Sequence, residues 1–386
     1  MNKKKFFITT TVARTLFFFS GQPRLWKEQF DVCAIAAEKE KLSAFADEEG
    51  IRSKFMPMHR EISLLSDISC LFSFIWLFIK ERPYIVHGNT PKASLLSMVA
   101  AWLTFRPVRI YMCHGLRYQT ASGFTLKLLK TMEWLSCHCA TTVIGVSKSV
   151  VGQLMADGLC PAHKACVIGF GTAGGIDTKK FSRDAIADAP DIRNELSIPA
   201  DAFVFSFVGR VVRDKGVNEL MAAFQRLSEE NTEVYLFLVG PQETDLDPIN
   251  HETQAIIDNN SHVFSFGRQN DVRPYLRSSN AFVLPSYREG LGQVLLEANA
   301  MDVPCIATDI TGCKDVIEAG ENGELVEAKN AENLYAKMKE WVHNPRTVKT
   351  MASSCRPLIV SRYEKETVRD MYYKEYCKLA GIDNIC

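Results

Sequence analysis

The chain has 386 residues, 47% of them hydrophobic and 23% charged, which is the composition of a folded protein with room for more than one core. Lys plus Arg and Asp plus Glu both number 45, and a net charge of zero argues against a protein whose main work is coating nucleic acid. Twelve cysteines with no CxxC pair, Cys137 and Cys139 being the closest two, argue for reduced buried thiols over a zinc site or a disulfide framework.

In chain order, the opening run Met1-Asn2-Lys3-Lys4-Lys5-Phe6-Phe7-Ile8 stops at Thr9-Thr10-Thr11, with Arg14 close behind. A signal peptide needs a longer apolar region and a small-residue cleavage site, so a first β-strand over 5–10 is expected instead. Short runs rich in branched and aromatic residues follow at 31–36, 84–87, 109–112, 142–146 and 165–168, with helix-length segments at 38–49, 92–103 and 125–139. From Ile62 to Ile79 the chain is strongly apolar, but Asp67 lies within it and Lys80-Glu81-Arg82-Pro83 closes it. It falls short of the roughly 20 residues a membrane span needs, and reads as a helix packed in its domain or resting partly in the interface.

A polar, turn-rich stretch over 181–201 marks a domain boundary. The alternation then restarts, with strands at 203–208, 234–239, 263–266, 281–284, 305–308 and 324–326, and helices at 216–230, 271–278 and 331–343. Residues 347–379 read as helix with a break near Ser361-Arg362. Strands alternating with helices imply parallel sheets wound by right-handed crossovers, whose ligands bind beyond the carboxyl ends of the strands. The expected fold class is α/β, with two Rossmann-like doubly wound domains, one over 1–185 and one over 200–360.

Two motifs fall at such strand ends. The strand over 203–208 runs into Gly209-Arg210-Val211-Val212-Arg213-Asp214-Lys215-Gly216, where cations precede a helix start and suit a diphosphate; a solvated basic loop is the ordinary alternative. The strand over 281–284 runs into Pro285-Ser286-Tyr287-Arg288-Glu289-Gly290-Leu291-Gly292-Gln293, with Glu297 further on. Glycines at a helix start let an anionic ligand approach the backbone, and a carboxylate inside the helix accepts hydrogen bonds from paired hydroxyls. Asp245-Leu246-Asp247 matches a D-x-D metal motif but lies in a turn with Pro248, and reads as a solvated loop with no metal expected.

Together these residues resemble glycosyltransferase family 4, the retaining group with the GT-B fold. Gly209-Arg210 with Lys215-Gly216 matches its phosphate-binding pair, and Glu289 to Glu297 its E-x7-E motif. Ala298-Asn299-Ala300-Met301-Asp302-Val303-Pro304 follows the family run except that Asp302 replaces a glycine, and Asn322-Gly323 and Cys113-His114-Gly115 also agree. The Thr9-Thr10-Thr11-Val12-Ala13 loop lacks the double glycine many relatives carry. The resemblance implies that Arg210 and Lys215 hold a donor diphosphate, Glu297 the ribose and Glu289 the transferred sugar. Gly209, Gly290, Leu291 and Gly292 would line the donor, with Arg268 and Gln269 against the base. His114 would face the sugar or the acceptor across a cleft, and the C-terminal segment over 361–386 would pack back on the first domain.

The resemblance further implies a metal-independent, retaining transfer with a nucleotide sugar, UDP-N-acetylhexosamine first, as co-substrate and no other cofactor. The acceptor would be a polyprenyl-diphosphate-linked saccharide of capsule or O-antigen assembly. The place would be the cytoplasm, peripherally at the inner face of the cell membrane. Phe17-Phe18-Phe19, the 71–79 run and a helix carrying Leu126, Leu128, Leu129, Met132 and Leu135 supply apolar surface, and Lys127, Lys130, Arg106 and Arg109 suit anionic headgroups; ordinary core helices with basic outer faces are the equal alternative. A non-catalytic nucleotide-sugar-binding subunit and a nucleotide-sugar epimerase are the rival readings; neither needs Arg210, Lys215, Glu289, Glu297 and His114 together with a greasy first domain.

Overall fold

The computed structural model describes residues 3–59, 63–245 and 247–382; Met1, Asn2, Ile62 and Leu246, named above, lie outside them. Two compact units divide the chain: Met1–Gly175 with Lys365–Cys386, and Ile176–Glu364. Residues 176–181 go with the second unit because its last long helix, Pro345–Tyr363, holds them. The Ile176 N–H donates to the Tyr363 carbonyl, and the Arg356 guanidinium donates to the carbonyls of Thr178 and Phe181.

In the first unit the strands are β1 Lys4–Thr9, β2 Phe30–Ala36, β3 Arg52–Phe55, β4 Ile85–Gly88, β5 Val108–Cys113, β6 Thr142–Gly145 and β7 Ala165–Cys166. All pair in parallel, in the order β3-β2-β1-β4-β5-β6-β7. β1 occupies the middle because Phe6, Phe7 and Ile8 are apolar on both faces, which only a strand covered from both sides can bury. β3 is a strand that the sequence pattern does not reveal: Arg-Ser-Lys-Phe is mostly exposed and edges the sheet, held by its ladder to β2.

The second unit repeats the plan with β8 Phe203–Val208, β9 Val234–Val239, β10 Val263–Gly267, β11 Ala281–Leu284, β12 Cys305–Thr308 and β13 Gly323–Val326. Its order is β10-β9-β8-β11-β12-β13, again all parallel. The helix Val217–Glu230 shows why the layers close. Val217, Leu220, Met221, Phe224 and Leu227 recur at helical spacing and are all buried.

In each sheet the strand order reverses once, between β1 and β4 and between β8 and β11. Chain segments leaving the two strands there diverge to opposite faces and leave room for a ligand. The C-terminal helix Lys365–Leu379, separated from its predecessor by Glu364, belongs to the first unit. Tyr372 and Tyr376 are buried there, and the Tyr372 hydroxyl donates to the Thr172 carbonyl. Every described cysteine is a free thiol, and all but Cys166 are buried.

Candidate functional site

At the reversal in the second sheet, two loops are stitched together. The loop after β8 makes a single 3-10 turn over Arg213–Lys215, and Gly216 at φ +70° starts the next helix. A Cβ on Gly216 would lie 1.9 Å from the Pro285 carbonyl oxygen, so only glycine lets the loops meet. Three further contacts join them. The Tyr287 N–H donates to the Asp214 carbonyl at 2.9 Å, Arg288 Nε to Asp214 Oδ2 at 2.7 Å, and Lys215 Nζ to Glu289 Oε1 at 2.5 Å. The Lys215 and Glu289 side chains are only 21% and 13% exposed, so each needs the other's charge.

Arg210 reaches the loop after β9, where its guanidinium donates to Glu243 Oε2 at 2.7 Å. Asp247 corrects the expectation of a solvated D-x-D turn. Its carboxylate accepts from the Asp214 N–H at 2.6 Å and from Arg213 Nε at 3.1 Å, which fixes the loop carrying Lys215. No group of His, Cys, Asp and Glu able to hold a metal occurs among the described residues.

Leu291 is buried, and Gly292 at φ +73° begins the helix Gln293–Ala300, whose first turn therefore faces the same reversal. Behind Gly290 stands Gly312, where a Cβ would come within 2.7 Å of the Gly290 carbonyl. Glu297 lies just over one turn into the helix and is part-buried, with no hydrogen-bond donor among the described residues. Desolvation pushes its carboxyl up to about 7, against a smaller pull downward from the Lys180 charge. Gly209 directly follows β8 with its N–H on the Val239 carbonyl. Arg268 is exposed just past β10, and the Gln269 side-chain amide donates back to the Phe266 carbonyl at 2.8 Å.

At the reversal in the first sheet the groups are neutral. Thr9 Oγ1 donates to the His87 carbonyl, and the Thr11 N–H and hydroxyl both meet Thr90 Oγ1 at 2.8 Å. Asn89 is buried and links two imidazoles: its Nδ2 lies 2.9 Å from His87 Nδ1, and its Oδ1 lies 3.4 Å from His114 Nε2. An amide N–H can only donate, so His87 Nδ1 is bare and its Nε2–H meets the Tyr376 hydroxyl at 2.9 Å. By the same logic His114 carries its proton on Nε2 and keeps Nδ1 as an acceptor. Desolvation lowers the His114 pKa to about 4 and that of His87 to about 3, so both rings are neutral at neutral pH.

Sequence reasoning did not single out Asp214, Glu219, Tyr287, Arg288, Asn89 or Tyr376. The Tyr287 hydroxyl donates to Glu219 at 2.7 Å. Asp214 stands inside the Arg-Asp-Lys-Gly run, which was the available signal; the other partners are distant in sequence. Three of the four candidate headgroup cations have partners within the chain. Lys130 pairs with Asp157 at 2.9 Å, Arg106 donates to the Thr104 carbonyl, and Arg109 donates to the carbonyls of Cys139 and Arg106. Lys127 alone of the four stands exposed with no such bond, and Leu126, Leu129 and Leu135 pack on the core.

The chain matches known families and proteins. The family described as Glycosyltransferase Family 4 matches residues 23–172, and that described as Glycosyl transferases group 1 matches residues 188–356. The capsular polysaccharide biosynthesis glycosyltransferase CapM of Staphylococcus aureus is 32% identical over 369 residues, 95% of each chain. An Escherichia coli UDP-Gal:alpha-D-GlcNAc-diphosphoundecaprenol alpha-1,3-galactosyltransferase is 26% identical over 354 residues, 89% of each. The structure of Anabaena HepE in complex with UDP and glucose superposes with a TM-score of 0.78 at 17% identity, covering 97% of this chain and 100% of that one. The two doubly wound units are those of the GT-B fold, and the chain belongs to glycosyltransferase family 4.

Proposed function

We propose that the protein transfers a sugar, an N-acetylhexosamine, from a UDP donor onto a polyprenyl-diphosphate-linked saccharide during capsule or O-antigen assembly. In this reading it works in the cytoplasm, held peripherally at the inner membrane face. The observation that carries the proposal is the Lys215–Glu289 pair, held by the loop contacts at the reversal of the second sheet, with Arg210 on the same loop as Lys215. The E. coli relative is named for a UDP-sugar donor and a diphosphoundecaprenol-linked acceptor, and HepE was crystallised with UDP; both support the choice of substrate class.

The chemistry follows from the charges. As the bond between the sugar's C1 and the diphosphate oxygen breaks, negative charge gathers on the leaving diphosphate. Arg210, Lys215 and the N-terminus of the helix Gln293–Ala300 stabilise it as a fixed cationic clamp, the part that a metal plays elsewhere. The acceptor hydroxyl adds to C1 on the face the diphosphate leaves, its proton passing to that diphosphate, so configuration is retained. Glu297 accepts hydrogen bonds from the ribose hydroxyls, and Glu289 holds the transferred sugar while keeping Lys215 in place. Neutral His114 offers Nδ1 to a hydroxyl, fixed from behind by Asn89. Gly209, Gly290, Leu291 and Gly292 line the donor, with Arg268 and Gln269 against the base.

A nucleotide-sugar panel, scored for nucleotide release in EDTA with and without a membrane lipid extract, tests this reading. Lipid-dependent UDP release from a UDP-N-acetylhexosamine is the expected outcome. Release only from another donor corrects the sugar, and loss of release in EDTA removes metal independence. Donor binding without release from any sugar would replace the transferase by a non-catalytic nucleotide-sugar-binding subunit.

A further inference from the structure

We propose that the outer face of the helix Leu64–Glu81 seats the first unit on an anionic lipid bilayer. This deepens the reading above by naming the surface that meets the membrane, and it rests on that reading for its biological purpose. The helix is 18 residues long and has two apolar faces. Cys70, Phe74, Leu77 and Phe78 turn inward and are buried in the core of the unit. Leu64, Leu65, Ile68, Phe72, Trp76 and Ile79 fall on the other side at helical spacing, each between 51% and 85% exposed. An apolar stripe along a whole helix is far more than the scattered single residues that a water-facing surface carries.

The charges identify the occupant. Both acids of the helix are turned away from the stripe and neutralised. Asp67 accepts from Lys92 at 2.7 Å, and Glu81 accepts from Lys5 at 2.7 Å and Lys54 at 3.1 Å. Those two lysines hold the Glu81 carboxyl at about 2, so it stays paired through any ordinary pH. What remains outward at the helix end is cationic: Lys80, with its ammonium 4.8 Å from the Trp76 ring centre, and exposed Arg82. Aliphatic side chains, a tryptophan and cations with no free acid are the chemistry of a helix lying in the plane of an anionic interface. The alternative of crossing the bilayer fails, because no described helix is long and apolar enough and this one buries its other face in protein.

The surface also has relief. A groove of about 600 Å³ opens beside Phe72 and Trp76, its far wall made by Phe55, Met56 and Pro57 at the end of β3. Phe55 is itself half exposed. The neighbouring helix Pro91–Leu103 ends in exposed Trp102 and Leu103, with Phe105 following.

The test uses the full chain with sedimentable vesicles of phosphatidylcholine, with and without phosphatidylglycerol. Binding is expected to need phosphatidylglycerol, to fall at least tenfold in a Phe72→Asp, Trp76→Asp double variant, and to lose its anionic preference in Lys80→Glu. UDP binding unchanged in each variant shows that it has folded, and Phe72→Leu, which keeps the apolar character, is expected to bind vesicles normally. A wild-type chain that ignores anionic vesicles, or a double variant that binds as well as wild type, overturns the proposal. Concentration-dependent self-association abolished by the double variant would assign the face to a second copy and overturn it too. Sugar transfer, with UDP release, to a short-chain, water-soluble diphosphate-linked acceptor reports on the transferase reading alone. It is expected to survive in the double variant; its absence in a wild type that still binds vesicles would remove the transferase and leave the lipid surface standing.

Discussion

The two sheets share one strand order and place opposite chemistry where it reverses. Between β8 and β11 stand Arg210, Arg213, Asp214, Lys215, Arg288 and Glu289, charged and paired, with the pairs crossing from loop to loop. Between β1 and β4 stand threonine hydroxyls, Asn89 and neutral His87, and the relay through Asn89 extends to neutral His114. Topology supplies a position and says nothing about the ligand; the residues at the position decide it. In the proposed reading the charged cradle holds an anion whose charge grows during the reaction, and the neutral, desolvated one orients hydroxyl groups without ionising them.

The largest effects should therefore come from the second unit. Lys215→Ala and Glu297→Ala are each expected to lower transfer by about 100-fold or more, as removing a preorganised transition-state group does. Circular dichroism and thermal unfolding would confirm that the fold persists. Lys215→Ala leaves Glu289 part-buried without its partner, so Glu289→Gln in the same background separates loss of the cation from the stranded carboxylate. Near-wild-type turnover in Lys215→Ala would break the comparison at its strongest point.

A second effect separates the units by pH, with opposite signs. Glu297 rises from 4.5 to about 7 in the folded chain, so between those values the native state keeps a proton that the unfolded state gives up. Stability then falls as pH climbs from 4.5 to 7, by at most about 3 kcal/mol, and is level above that. His87 and His114 drop from 6.5 to about 3 and about 4, so there the unfolded state binds the extra proton. Their contribution is whole above pH 6.5 and is lost as pH falls toward 4 and below. Hydrogen exchange resolved by unit should show the first unit loosening on acidification, and Glu297→Gln should flatten the second unit's slope between pH 4.5 and 7. In the proposed reading donor affinity should also rise through pH 7, because an ionised Glu297 would be the better acceptor for the ribose hydroxyls. Parallel pH slopes in the two units would contradict these assignments.

How much of this was legible in the sequence follows the same division. Strands buried on both faces announce themselves, as Phe-Val-Phe-Ser-Phe-Val does at β8, and so do the motifs beside them. β3 does not, because an exposed edge strand carries no hydrophobic pattern and is made by its ladder to β2. Arg210, Lys215 and Glu289 could be picked out by type and place, but their partners could not. Glu243 is 33 residues from Arg210, and Glu289 is 74 from Lys215. The same holds for Asp247: in sequence it is one of two acids in a polar turn, and in the fold it braces the loop that carries Lys215. The Leu64–Glu81 helix read as either packed or interfacial, and the structure gives it both an inner and an outer apolar face.

The smallest effect concerns the glycine that Asp302 replaces. Asp302 adopts φ +58°, in the left-handed region where a Cβ costs about 1–2 kcal/mol, less for aspartate. Its N–H caps the preceding helix on the Asn299 carbonyl, and its carboxylate lies 3.8 Å from Arg183, a half-exposed contact of little worth. Asp302→Gly relieves the backbone, loses that contact and adds freedom to the unfolded chain, so it is expected to change stability by less than about 1 kcal/mol. Asp302→Ala keeps the strain without the polar side chain that eases it, and should cost about 1 kcal/mol, read as a drop in the second unit's denaturation midpoint. Because the turn lies beyond Glu297 at the end of the same helix, turnover should be unchanged in both. A loss of donor binding in Asp302→Gly would show that this turn sets the position of Glu297.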